Sequence, residues 1–130
     1  MKTIYLTFML MLGFLTTTLA ADPIDRVAEL FSKGNITEIA KLCDANVDLG
    51  ILKDLDTYPK AKAVQMLQAF FAQNKPISTK TLHKVTSNAA FNYGVIALST
   101  DKGVFRVAYT LKNVGGTMLL VEVRVEGEKK

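Results

Sequence analysis

The stretches VFRVAYTLK (residues 104–112) and TMLLVEVRVE (residues 117–126) decide the fold, because apolar and polar side chains alternate along both. A period of two is typical of β-strands that bury one face. Gly115-Gly116 between them suits a tight turn with positive φ. The pattern predicts an antiparallel hairpin with an inner face made of Phe105, Val107, Tyr109, Leu111, Leu119, Val121, Val123 and Val125.

Two more strand-like runs precede this hairpin, at residues 77–86 and 91–100. Turn-forming residues separate the runs: Ser87-Asn88 after the first and Asp101-Lys102-Gly103 after the second. Connections this short force neighbouring strands to be antiparallel. The second half of the chain is therefore predicted to be a four-stranded meander.

The first half of the chain has helical periodicity. Asp22-Pro23 is a capping residue followed by proline, and it predicts a helix that ends at Gly34. Asn35-Ile36-Thr37-Glu38 has capping-box spacing, with Glu38 expected to bond back to the Asn35 N–H. The apolar stripe of that second helix is Ile36, Ile39, Ala40 and Cys43.

A short strand and a third helix complete the predicted elements. Val47, Leu49 and Ile51 alternate with other residues, which indicates a small strand. A wide apolar stripe from Ala63 to Phe71 predicts a helix that starts near Pro59 and ends before Pro76. The fold class is α+β, with three N-terminal helices on the concave face of a curved antiparallel sheet of four main strands and one short strand.

Residues 1–20 resemble an export signal. Lys2 precedes an apolar run from Ile4 to Leu15, and Thr18-Leu19-Ala20 places small side chains at the two positions that a signal peptidase reads. No cysteine lies near that junction, which excludes lipid attachment there. We expect an exported single domain of residues 21–130, periplasmic or secreted, without a stable membrane anchor after cleavage; the alternative is an uncleaved anchor.

Composition argues against nucleic-acid binding and against an internal disulfide. The chain has 16 Lys and Arg against 12 Asp and Glu, a net charge of +4 that falls to +3 once Lys2 leaves with the leader. The cations are scattered, which argues against nucleic acid as a partner. Cys43 is the single cysteine, so no internal disulfide can form, and its position on an apolar stripe predicts a buried, unreactive thiol.

Common catalytic and cofactor motifs are missing from the sequence. No serine has the Gly-x-Ser-x-Gly setting of a hydrolase, and neither of the glycine-rich phosphate cradles occurs. One histidine cannot build a multi-histidine metal site, and Asp54 and Asp56 supply too few oxygens for calcium. We therefore expect no metal, no nucleotide and no cofactor.

The reverse side of the predicted meander is partly apolar. It carries Val104, Ala108, Met118 and Leu120 beside Arg106, Lys112, Glu122 and Arg124. The run from Phe91 to Thr100 is apolar on both sides, so a monomer would expose apolar area in the middle of the sheet. We predict a homodimer through this face, at Val104, Ala108, Met118 and Leu120. The alternative is a sheet face left loosely covered.

The order of elements resembles the nuclear transport factor 2-like superfamily, a cystatin-like cone of three helices against a bent sheet. Leu82-His83-Lys84, Tyr93-Gly94-Val95-Ile96, Gly103 to Val107 and Leu120 to Glu126 are similar to a family of exported Gram-negative proteins whose domain has no assigned function. The sequence departs from that family at Phe105, where the family has tyrosine, and at Val85, where it has glycine. The resemblance implies the fold, dimerisation through the sheet and a pocket at the open end of the cone, and it implies no reaction.

Within such a cone His83 is the available base, and Tyr93 and Tyr109 are the available hydroxyl donors. We expect these three side chains at the mouth of a pocket, with Phe70 or Phe71 in its wall. The leading hypothesis is an exported, non-enzymatic, dimeric module that binds a small apolar molecule, a peptide or a protein segment. The alternatives are a small isomerase or lyase that uses His83, and a purely structural partner of an envelope protein. A solvated or structurally bonded His83 is the simpler interpretation of that residue.

Overall fold

A computed structural model describes residues 22–127, and the predicted export signal lies outside them. The described part contains three helices and six strands. In chain order they are α1 (Pro23–Lys33), α2 (Ile36–Leu42), β1 (Cys43–Ile51), β2 (Asp56–Pro59), α3 (Lys60–Gln73), β3 (Pro76–Val85), β4 (Phe91–Thr100), β5 (Gly103–Val114) and β6 (Thr117–Gly127).

The six strands form one curved, unclosed sheet in the order β2-β1-β6-β5-β4-β3. All neighbours are antiparallel except β1 and β6, which run parallel. The α+β architecture and the four-stranded meander are confirmed, but the expected strand count is wrong. The additional strand, β2, has four residues that include Asp56 and Pro59, which gives it no apolar alternation. The small predicted strand is also longer, because Cys43 begins β1 instead of ending α2.

The helix ends follow the local sequence with one exception. Asp22 Oδ1 accepts a hydrogen bond from the Asp25 N–H at 2.9 Å, and Gly34 ends α1 at φ +60°. Asn35 Oδ1 accepts from the Glu38 N–H at 3.3 Å, as predicted. The predicted hydrogen bond from the Asn35 N–H to the Glu38 side chain is wrong. That N–H donates instead to the Leu30 carbonyl at 3.0 Å.

The core lies between the helices and one face of the sheet. The inner side chains Val107, Tyr109 and Leu111 of β5 are at most 1% exposed. Phe31 of α1 packs edge-on against Tyr109, with ring centroids 5.9 Å apart, and Phe70 of α3 packs against Phe105 at 5.0 Å. The predicted inside of the β5 strand is confirmed.

A β-bulge in β6 changes which of its residues face inward. Tyr109 pairs with Val123 and Thr110 with Glu122, but Leu111 pairs with Leu120, so Val121 is an extra residue in β6. One extra residue reverses the alternation on one side of a bulge. Leu120 is therefore in the core, with no exposed surface, and Met118 packs against the core. The prediction that Met118 and Leu120 lie on the reverse face is therefore wrong, and so is the prediction that Leu119 faces inward.

A second bulge divides the faces of β3. Thr81 pairs with Ile96 and His83 with Val95, so Leu82 is the extra residue. Ile96 belongs to the core and faces the helices. Thr81 therefore lies on the inner face, while His83 shares the opposite face with Val95. Alternation along the sequence predicts that Thr81 and His83 share one side of the sheet, and the bulge between them makes this prediction wrong.

The bulge in β6 predicts opposite outcomes for two adjacent leucines. Leu120→Ala should lower the free energy of unfolding by about 2 to 5 kcal/mol, because it opens a cavity in the core. Leu119→Ala is the matched control and should cost less than about 1 kcal/mol. Urea unfolding followed by circular dichroism measures both. Equal losses for the two variants, or the larger loss for Leu119→Ala, would contradict the assigned register.

Candidate functional site

Apolar side chains of the described residues fill the interior between α1, α3 and the sheet. The gap between α1, α3 and the sheet has no room for a water molecule. It is lined by Phe31, Leu67, Phe70, Phe71, Leu98, Val107 and Val125. Phe70 and Phe71, expected in the wall of a pocket, both line this gap: Phe70 is buried in the core and Phe71 packs against it. Their part in ligand binding stays a prediction.

Tyr109 is a structural tie at the centre of the core. Its hydroxyl donates a hydrogen bond of 2.6 Å to the Ile24 carbonyl oxygen, and its side chain has no exposed surface. Burial is the main reason that the pKa of Tyr109 is raised well above its usual value. The hydroxyl therefore stays protonated and connects β5 to the first turn of α1.

Gly94 makes this tie possible. It pairs with Tyr109 across the β4–β5 ladder and lies under the same turn of α1. A Cβ at residue 94 would come within 2.7 Å of Ile24 Cγ2 and 3.2 Å of Tyr109 Cζ. Only glycine leaves space there for both side chains in their present positions.

His83 and Tyr93 lie on the other side of the sheet from Tyr109. Tyr93 pairs with Thr110, and Val95 pairs with Ala108. Both pairs are one residue along the strands from the buried pair of Gly94 and Tyr109, so their side chains point to the opposite face. The rings of His83 and Tyr93 meet edge-on with centroids 6.4 Å apart. The structure thus brings His83 and Tyr93 together, and it does not bring either of them into one site with Tyr109.

The outer face of the sheet carries the principal apolar surface near these residues. We name as the outer patch the neighbouring side chains of Val85, Phe91, Tyr93, Val95 and Ala108. Val85, Phe91 and Tyr93 are 38%, 45% and 36% exposed, whereas Val95 is only 3% exposed. Three large apolar side chains that remain accessible side by side are typical of an interaction surface.

Val104 and Ala108, predicted at a dimer interface, both lie on this outer face. Val104 pairs with Ser99 and Ala108 with Val95, and Val104 is 39% exposed. Their expected role in dimerisation stays a prediction. Met118 and Leu120 do not lie on this face, for the reason given by the β6 bulge.

Charges on the outer face are unevenly distributed. Cations lie on the β3 and β5 strands at Lys80, Arg106 and Lys112, and carboxylates lie on the β1 and β6 strands at Asp48, Glu122 and Glu126. Arg124 of β6 is the exception. The register places Arg106 directly opposite Glu126 and Thr110 opposite Glu122. One side of the face is therefore mainly positive and the other mainly negative.

A charge cluster joins the start of α1 to the end of β3. Lys84 Nζ lies 2.8 Å from Asp22 Oδ2 and 3.3 Å from Asp25 Oδ2. Partial burial opposes ionisation of Asp22, but hydrogen bonds from Lys84 and the Asp25 N–H hold its pKa below the usual value. Hydrogen bonds to the same two carboxylates raise the pKa of Lys84. The sequence showed Asp22 as a cap but contained no signal for a partner 62 residues away.

Cys43 is buried, as expected from the sequence. Its Sγ donates to the Ile39 carbonyl at 3.3 Å, and burial raises its pKa to about 11. Thiolate is the reactive form of cysteine, and at neutral pH very little would be present here.

Among residues 22–127 no group of three His, Cys, Asp or Glu side chains is arranged to hold a metal ion. Over the same residues, no helix is both long enough and apolar enough to span a bilayer.

A curved sheet with three helices packed against one face defines the cystatin-like α+β class, to which nuclear transport factor 2-like proteins belong. Residues 24–126 match the family described as "Domain of unknown function (DUF4783)". The chain therefore belongs to the DUF4783 family. Comparison with curated proteins gives no match.

Solved structures agree with this assignment. A DUF4783 protein from Bacteroides ovatus is 26% identical, with a TM-score of 0.75 over 80% of this chain and 94% of that chain. One from Bacteroides uniformis is 24% identical, with a TM-score of 0.78 over 85% and 100% of the two chains. A domain of unknown function with a cystatin-like fold from Nostoc punctiforme shares the fold at 8% identity, with a TM-score of 0.66 over 88% and 81%.

The cluster around Lys84 predicts a pH-dependent contribution to stability. The folded-state pKa of Asp22 is below its unfolded value, so the stabilisation is present above about pH 4 and is lost as pH falls through the folded value. The raised pKa of Lys84 preserves the pair up to alkaline pH. Lys84→Met should therefore lower the melting temperature at pH 7 and have much less effect at pH 2.5.

Lys62→Met is the matched control, because Lys62 is an exposed lysine of α3, away from both the Lys84 cluster and the outer face of the sheet. It should leave the melting temperature nearly unchanged at both pH values. Calorimetric scans at the two pH values test the claim. An effect of Lys84→Met that is as large at pH 2.5 as at pH 7 would show that packing, and not the ion pair, is responsible.

Proposed function

We propose that this protein is an exported, non-enzymatic interaction module that binds a protein surface, above all a second copy of itself, through the outer face of its sheet. The observation that carries the proposal is the outer patch, in which Phe91 and Tyr93, near the start of β4, remain 45% and 36% exposed. Export rests on the sequence of residues 1–20 and is part of the proposal.

The filled interior supports a protein partner over a small apolar molecule. Ligand pockets for small molecules are about 300 to 1,000 Å³ in volume. The interior gap beside Phe70 and Phe71 does not hold even a water molecule. A ligand inside the cone would have to displace core side chains.

The position of His83 argues against a catalytic role inside the cone. General acid–base catalysis needs the base and the proton donor within reach of one substrate. His83 lies on the outer face, and Tyr109 lies on the inner face with its hydroxyl already bonded to Ile24. His83 instead lies beside Tyr93 of the outer patch, with ring centroids 6.4 Å apart.

The charge distribution supports a second copy as the partner. A two-fold axis lying between two such faces and parallel to the strands places the β3 side of one copy against the β6 side of the other. Lys80 and Arg106 would then approach the carboxylates of Glu122 and Glu126 on the partner copy. Complementary charges of this kind favour one register of association. An envelope protein with a similar apolar and charged surface is the alternative partner.

This proposal predicts that charge in the outer patch abolishes self-association. Phe91→Glu and Tyr93→Glu each remove exposed apolar area and place a carboxylate in the contact. Each should weaken dimerisation by about tenfold or more, since truncated anchor residues commonly cost over about 1.4 kcal/mol. Sedimentation velocity over a range of protein concentrations measures the effect on residues 21–130.

Leu52→Glu is the matched control, because Leu52 is an apolar side chain 57% exposed in the loop after β1, outside the outer patch. It introduces the same charge and should leave the dimer intact. A parent protein that stays monomeric at every concentration would contradict self-association. The same conclusion follows if Leu52→Glu weakens the dimer as much as Tyr93→Glu.

A further inference from the structure

A groove of about 420 Å³ runs between α1 and β3 at the edge of the sheet. One wall belongs to the helix and the other to the strand. The lining residues are Asp25, Ala28, Glu29 and Ser32 of α1 and Ile77, Ser78, Thr79 and Thr81 of β3. Thr79 and Thr81 face the helices, so the groove is separate from the outer patch, which lies on the other side of the sheet.

The strand that forms this groove is at one end of the sheet. β3 follows β4 as the last strand in the sheet order, so among residues 22–127 its other edge has no neighbouring strand. An unpaired edge presents backbone N–H and C=O groups to any extended chain beside it. Extra residues at Ile77 and Leu82 interrupt the edge and leave Ser78 to Thr81 as its regular part. The edge therefore suits a short strand and resists continuous pairing.

The helix follows the strand along the whole groove. Lys84 contacts Asp22 at one end, and Thr79 Oγ1 donates to the Ala28 carbonyl at 3.2 Å in the middle. At the other end, a Cβ on Gly34 would lie 3.2 Å from Pro76 Cγ. A helix parallel to an open strand edge forms two walls between which an extended peptide fits.

The charged residues that line the groove are both acids. Asp25 and Glu29 are four residues apart on α1, which corresponds to about 6 Å along the helix axis. In a peptide bound as a strand, side chains two residues apart point the same way and are about 6.6 Å apart, which is close to the spacing of Asp25 and Glu29 along the helix. Both acids already have a lysine nearby: Lys33 lies 3.0 Å from Glu29, with both side chains more than 60% exposed, and Lys84 lies 3.3 Å from Asp25. Lys84 keeps its shorter contact of 2.8 Å to Asp22 when Asp25 turns to a peptide. Such surface pairs exchange partners at little cost.

We propose that β3 binds an extended basic peptide as a seventh strand, with lysine or arginine at alternate positions directed into the groove toward Glu29 and Asp25. Main-chain hydrogen bonds to the Ser78–Thr81 edge supply affinity, and the acidic helix wall selects the cationic side chains. The hydroxyl groups of Ser32, Ser78 and Thr81 line the remaining surface. The groove does not depend on self-association through the outer patch.

The test uses two synthetic peptides that differ only in charge. The basic probe is an acetylated and amidated octapeptide of alternating lysine and threonine, and the acidic probe replaces each lysine with glutamate. Titration of isotope-labelled protein, followed by amide exchange measured by NMR, reports both affinity and location. The basic probe should slow amide exchange within Ser78–Thr81 and bind about tenfold or more tightly than the acidic probe.

Variants assign the charge selection to the groove. Glu29→Gln should weaken binding of the basic probe, and Glu29→Lys should remove or invert the preference. Asp54→Lys, in the exposed loop after β1, makes the same change of charge elsewhere and should keep the preference. The proposal is overturned if both probes bind equally, if amide exchange in β3 does not change at millimolar peptide, or if Asp54→Lys acts like Glu29→Lys. The same titration on Tyr93→Glu protein separates this site from the outer patch, because peptide binding should be unaffected there.

Discussion

The hydrogen bond from the Tyr109 hydroxyl to the Ile24 carbonyl is the constraint on which the rest of the structure depends. It joins the middle of β5 to the first turn of α1 across 85 residues of chain. A buried hydroxyl without a partner is costly, so the bond strongly favours one position of the helix over the sheet. Gly94 permits the approach, because any side chain there would collide with Ile24. Once α1 is fixed, Phe31 lies against the Tyr109 ring and the helix runs alongside β3.

Two consequences for function follow from that arrangement. Among residues 22–127, the gap between α1, α3 and the sheet is packed too tightly to admit a water molecule, so it offers no space for a small ligand. The surfaces that we propose for interaction therefore lie outside the core: the outer patch around Tyr93 and the groove between α1 and β3. These surfaces are on different faces and have different chemistry. The outer patch is apolar with charges of both signs around it, and the groove is lined by hydroxyl groups and two carboxylates.

The sequence predicts local elements well and cross-strand geometry poorly. The ends of α1 and the four strands of the meander follow from caps, glycines and alternation, all of which are local signals. The bulges at Val121 and Leu82 depend on how each strand pairs with its neighbour, which local alternation does not contain. One extra residue was enough to move Leu120 into the core and to place His83 on the face opposite Tyr109. For the same reason the sequence grouped His83, Tyr93 and Tyr109 at one pocket mouth, whereas the structure places Tyr109 on the inner face and the other two on the outer face. The parallel pairing of β1 with β6 also had no local signal.

Membership of the DUF4783 family fixes the fold and leaves the use of its two faces as the central question. Hydroxyl-radical footprinting with mass spectrometry, repeated over a range of protein concentrations, tests both faces at once. We expect Tyr109 to stay unmodified at every concentration, and Phe91 and Tyr93 to react in dilute protein but become protected as the protein concentration rises. Modification of Tyr109 as fast as Tyr93 would contradict the assigned inside and outside. Reactivity of Phe91 and Tyr93 that does not change with concentration would contradict association through the outer face.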